Sequence, residues 1–355
     1  MRLPTLTLGL VLTAMGCSHG TSRPADAAAE LRAPTVTPQP SGTTSRLQAV
    51  SPVDDRIAWV SGVGGTYAVT TDGGTTWRAG VVPGADSLEF RDVEAVSERV
   101  AYLLAAGPGD RSRIYRTDDG GRSWSLQFTN RDTSAFYDCF AFWSDRHGFV
   151  MSDGVAGRFP VVATADGRRW SDIGDRLPPA QPGEGAFAAS GTCTATAGDR
   201  HGWIATGAGP AARVLATADG GESWQAYPTP VVQGSSTSGG ASVAFRDTAH
   251  GILGGGNIAV PDSFADNVAR SDDGGRTWRL AARPPFPGGI YGLAYAGTGT
   301  RTVVATGPSG AAWSADEGEH WSLLPGVNDY WAVGFATPTA GWLVGTEGRI
   351  LKLGF

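Results

Sequence analysis

The chain has 355 residues, 41% of them hydrophobic and only 17% charged, with 52 glycines and a formal net charge of −6. Glycine at roughly twice its average share, without a three-residue period, excludes collagen, and the apolar content excludes a disordered chain. The acidic balance argues against the basic face that a nucleic-acid binder needs.

The first element is a short export signal over residues 1–16. Met1-Arg2 precedes the apolar run Leu3–Ala14, which is too short to span a bilayer, and Ala14-x-Gly16 supplies small residues before Cys17, with Met15 where a small residue is usual. The segment resembles a bacterial lipoprotein signal, which implies a lipid on Cys17. The alternative is ordinary cleavage, which leaves Cys17 as a thiol. Three cysteines in an exported protein leave one odd, and lipidation of Cys17 removes it. Residues 17–33 are small and polar and read as a flexible tether. The expected location is therefore outside the cytoplasm, periplasmic or at the cell surface, anchored to the membrane through Cys17.

Residues 34–355 are organised by repeats. Thr70-Thr71-Asp72-Gly73-Gly74-Thr75-Thr76-Trp77 recurs at Thr117–Trp124, Thr217–Trp224, Ser271–Trp278 and Ser314–Trp321, with a shortened copy at Thr164–Trp170. Successive box tryptophans are 43 to 54 residues apart, the length of one four-stranded propeller blade. A second segment precedes each box, as in Arg56-Ile57-Ala58-Trp59-Val60 and His201-Gly202-Trp203-Ile204, and it occurs seven times. A third, such as Asp138-Cys139-Phe140-Ala141-Phe142, alternates small and apolar residues and reads as the innermost strand. The fold expected is all-β: a single seven-bladed propeller of four-stranded antiparallel blades. The seventh copy ends before any box, so Pro34–Pro38 is expected to supply its outer strand and close the ring.

The box resembles the Asp-box of sialidases and related propellers. Its acids, Asp72, Asp119, Asp166, Asp219, Asp273 and Asp316, read as turn-forming rather than catalytic. The whole repeat resembles the photosystem II stability/assembly-factor family over about residues 46–355. That resemblance implies a propeller that binds a protein or ligand, not a known reaction.

Enzyme motifs are incomplete. The nearest string to a sialidase Arg-Ile-Pro motif, Gly157-Arg158-Phe159-Pro160, has the wrong order and the wrong blade. Gly207-Ala208-Gly209-Pro210-Ala211-Ala212 imitates a dinucleotide fingerprint, but the next segment reads as a strand, so it is a hairpin. His147, His201 and His250 occupy one slot of successive blades and are spread by the ring, so no metal is expected. No motif calls for a cofactor. Cys139 and Cys193 share a slot in neighbouring inner strands, which leaves a disulfide or two buried thiols open. Asp92 and Glu94 are further carboxylates that the box does not explain.

Two stretches break the repeat, Leu177–Thr192 and Gly254–Asn267, and long loops of this kind often bind something. With them, Asp138, Asp153, Arg158, Glu184 and Arg246 are the candidate ligand-binding residues, expected on one face of the channel. The functional expectation is a membrane-tethered scaffold for an envelope protein or glycan. The runner-up is a carbohydrate-active enzyme, sialidase-like or another propeller glycoside hydrolase.

Overall fold

The computed structural model describes Met1 and residues 32–355, so the export signal, Cys17 and nearly all of the tether lie outside the described residues. The described chain forms seven four-stranded antiparallel sheets. Their inner strands are Leu47–Pro52, Phe90–Ala95, Tyr137–Phe142, Thr194–Ala197, Ser238–Phe245, Gly292–Tyr295 and Tyr330–Thr337. Each inner strand contacts the next, and the last contacts the first, so the blades close a ring around one axis.

The closing strand is Thr35–Gln39, one residue later than the sequence suggests. It pairs antiparallel with Ile350–Gly354 and completes the seventh blade. The join is held by side chains as well as by the ladder. Gln39 Oε1 accepts the indole N–H of Trp77 from blade 1 at 3.1 Å and of Trp342 from blade 7 at 3.0 Å. Lys352, the only lysine in the chain, lies over the Trp342 ring and donates to Gly73 O at 2.8 Å.

The boxes lie between the third and outer strands of their blades. In the first, Asp72 Oδ1 accepts the N–H of Thr76 at 2.9 Å and the hydroxyl of Thr70 at 2.9 Å, while Oδ2 accepts the Thr76 hydroxyl at 2.6 Å. Asp119, Asp219 and Asp273 repeat this pattern with Ser123, Ser223 and Thr277. Asp316 uses the imidazole of His320 instead, and Asp166 in the short box takes the N–H groups of Arg168 and Arg169. The hydroxyl and N–H of Thr76 or Ser123 hold Asp72 and Asp119 at about 2, which marks acids committed to a turn.

The box also locks neighbouring blades. Trp124 of blade 2 meets Trp59 of blade 1 edge-on, and Trp224 of blade 4 meets Phe149 of blade 3. Tyr67 Oη donates to Gly121 O of the next box at 2.6 Å, and Trp203 Nε1 donates to Gly274 O at 2.8 Å. Buried aromatics thus supply both the apolar area and the polar handle at these joints.

Replacing Gln39 with Leu leaves two indole N–H groups without an acceptor, one of them on the fully buried Trp342. The Gln39→Leu variant should lose about 2–4 kcal/mol of stability in urea titration. An unchanged midpoint would show that the ring is not held at this residue.

Candidate functional site

The site is built from a recurring irregularity of the inner strands. In five blades the inner strand shifts register near its start, leaving one extra residue: Gln48, Arg91, Asp138, Ala241 and Trp331. A bulge of this kind leaves its residue outside the ladder and re-aims the side chain. Gln48, Arg91, Asp138 and Trp331 come from four different blades and line one cavity of about 450 Å³ at one mouth of the channel. Arg46, Asp153 and Tyr291 complete its wall.

Phe187, Ala188 and Ala189 form the floor of this cup. They belong to the first irregular stretch, which does not stay on the surface but crosses the channel. Ala188 O accepts from Arg91 Nη1 of blade 2 at 3.3 Å, and the Ser190 hydroxyl donates to Tyr291 O of blade 6. A Cβ on Gly191 would fall 2.1 Å from Asp92 Oδ1, and its φ is +77°, so the crossing requires glycine there. Ser190, Gly191 and Thr192 face a second cup of about 350 Å³ at the other mouth. The crossing segment is therefore a plug that divides the channel. Cys193, directly after it, is disulfide-bonded to Cys139, directly after Asp138.

Polar groups in the first cup fall into two sets. Arg91 donates to Glu89 through Nε at 3.0 Å and Nη2 at 2.8 Å, and Arg46 lies 3.8 Å from the same carboxylate and over the Trp331 ring. Tyr291 and Trp331 meet edge-on at 5.9 Å. The second set lacks partners. Asp138 Oδ2, Gln48 Oε1 and Arg46 Nε are buried without a hydrogen bond among the described residues. Asp138 is 1% exposed and Gln48 2%. Burial, reinforced by the charge of Asp153, pushes the Asp138 carboxyl well above the usual carboxylate range. Burial raises Asp153 to about 6, although its Oδ1 accepts the Ala186 N–H at 3.1 Å.

Of the five residues expected to share one face, only Asp138 and Asp153 do. Arg158 turns outward and pairs with Asp172 and Asp175 at 2.6 and 2.9 Å, because its hairpin lies beside the outer strand of its blade. Glu184 is buried beneath the insert, where Arg213 Nε donates to it at 2.8 Å and the Thr206 hydroxyl at 2.7 Å, so it braces the root of the plug. Arg246 lines the second cup and pairs with Asp247 and Glu317. That cup also holds Asp92, pushed well above its ordinary range by burial, and Glu94, pushed up to about 7 by burial. Among the described residues no group of three or more His, Cys, Asp or Glu is placed to hold a metal ion.

The residues that sequence reasoning missed are Arg46, Gln48, Arg91, Tyr291 and Trp331. Gln48, Arg91 and Trp331 each sit between two inner-strand residues, in Leu47-Gln48-Ala49, Phe90-Arg91-Asp92 and Tyr330-Trp331-Ala332, with no local pattern that marks the bulge.

No protein-family model matches the chain, and no curated protein matches it by sequence. Among solved structures it is similar to YCF48 bound to a D1 peptide, at 17% identity and a TM-score of 0.61, over 92% of this chain and 99% of that one. YCF48 from Cyanidioschyzon merolae is similar at 16% identity and 0.62, over 90% and 98%. The chain has the YCF48 propeller fold. At these identities only the fold is shared, and U3-55K has it too, at 13% identity and 0.61 over 90% and 98%.

A buried acid held neutral costs stability once the unfolded chain ionises. The folded Asp138 is raised, so its penalty is absent below the unfolded value near ~4 and grows as pH rises above it. Asp138→Asn should therefore raise the urea midpoint at pH 7 and leave it almost unchanged below pH ~4. A loss of stability at neutral pH would contradict this placement of the carboxyl.

Proposed function

We propose that the chain is an exported, membrane-tethered scaffold that binds a segment of a partner protein in the plugged mouth of its propeller. The observation that carries this reading is the cup itself. Four bulges aim an amide, a guanidinium, a carboxyl and an indole from separate blades into one cavity, and three of its buried polar atoms are left unpaired. Buried polar groups are nearly always satisfied, so a set of orphans facing one cavity implies something that satisfies them. The rim fits a protein partner: Ile258, Val260 and Phe264 of the second irregular stretch are exposed, and Ile258 borders the cup. A propeller of the same fold binding the D1 peptide is consistent with this reading.

The leader and Cys17 support the tether. A lipid at Cys17 adds membrane affinity that the propeller itself does not need to supply.

A second reading, glycoside hydrolysis, draws on the approach of Asp138 and Asp153 within one cup, since paired carboxyls serve that chemistry. It demands turnover, whereas a scaffold demands only capture.

Affinity capture from the native envelope with the full chain, compared with Trp331→Ala and Arg91→Ala, tests the proposal. One partner should be retained by the parent and reduced about tenfold or more by either substitution, as for a central aromatic or arginine anchor. Intact-mass measurement of the envelope form should show a lipidated Cys17. Glycan turnover without a retained partner would replace the scaffold with the hydrolase.

A further inference from the structure

Two of the three buried, unpaired polar atoms in the cup are oxygens. Its two guanidiniums are turned to Glu89, and Arg91 spends a further N–H on Ala188 O. The unpaired oxygens are Asp138 Oδ2 and Gln48 Oε1, both on side chains buried beyond nine-tenths, and each is the bulge residue of its strand. Asp153, on the same wall, has one oxygen engaged by the Ala186 N–H. The third buried, unpaired atom, the donor Arg46 Nε, belongs to the side chain already stacked on Trp331.

Charge points the same way. Arg46 and Arg91 face Glu89, Asp138 and Asp153 around the cup, so with all groups ionised it lacks one positive charge. Trp331 and Tyr291 line the same cup, and aromatic rings attract cations.

Resting on the reading of this cup as the partner site, we propose that it recognises a primary ammonium group, the side chain of a lysine presented by the partner segment. An ammonium carries three donors and no acceptor, which complements a wall that presents Asp138, Gln48 and Asp153, and its compact head suits a cavity with Ala188 and Ala189 in its lining. A guanidinium brings a wider planar fork, and a sugar hydroxyl brings no charge. Entry of the cation favours the ionised form of Asp138, so binding releases a proton and tightens as pH rises. The groups facing that carboxyl are Asp153, Arg91 and Arg46 with its partner Glu89.

The experiment is selection of N-terminally acetylated random peptides on the full chain, with each selected peptide remade with Nε-acetyl-lysine. Selected peptides should carry lysine, and acetylation of that lysine should weaken binding about tenfold or more. Asp138→Asn and Gln48→Leu should each weaken binding by a similar factor, while thermal melts show the ring intact. Binding should release protons, measured by calorimetry in buffers of different ionisation enthalpy. Peptides that bind equally with acetylated lysine but fail with Trp331→Ala would overturn the ammonium and leave the cup as the partner site. Selection only of peptides unprotected at the N-terminus, in a parallel library, would move the ammonium from the side chain to the chain end and overturn the lysine. Peptides indifferent to Trp331→Ala and Asp138→Asn, or no selection at all, would overturn both readings.

Discussion

Everything in this molecule depends on the meeting of its two ends at Gln39. One carboxamide oxygen takes the indole N–H of the first box and of the last blade, and this joins residues separated by 303 positions in sequence. The cup straddles that seam. Arg46 and Gln48 belong to blade 1 and Trp331 to blade 7, and the stacking of Arg46 on Trp331 crosses the join.

The ring provides position, and the bulges provide direction. A regular inner strand shows alternate residues to the channel, and a one-residue shift exposes a side chain that the ladder would otherwise direct elsewhere. Five inner strands carry such a shift, and four of the shifted side chains reach the same space. The plug then turns a through-channel into two separate depressions. The lower one has its own chemistry, with Asp92 capped by the Phe140 N–H at 2.8 Å, although the same inner strands wall both. The disulfide ties that segment to the strand bearing Asp138, so the floor and the buried acid form one mechanical unit. Keeping such an acid unpaired lowers stability, which is the usual signature of a site maintained for binding.

The fold was legible because the box is a local object. Thr70, Asp72, Gly74 and Thr76 satisfy one another within a single turn, so their spacing in sequence is their geometry, and the missing seventh box pointed to the N-terminal strand. The site was not legible because register is a tertiary property. Nothing local distinguishes Gln48 or Trp331 from an ordinary alternating strand residue. Glu184 and Arg158 were read as channel residues because they adjoin irregular stretches, yet each carries its own counter-ion nearby in the fold. Arg246 reached the channel, but at the other mouth, because it stands at the far end of its inner strand. Asp138 and Asp153 were placed together for the opposite reason: strand pairing at the start of blade 3 fixes both.

The solitary lysine has a consequence for how copies of this chain meet one another. Lys352 lies against the Trp342 ring, with its ammonium donated to Gly73 O, and the other 27 basic residues are arginines. A cup shaped for an ammonium thus finds no free lysine side chain on its neighbours. If the cup takes a lysine as proposed, copies of this chain would not fill one another's cups through that side chain.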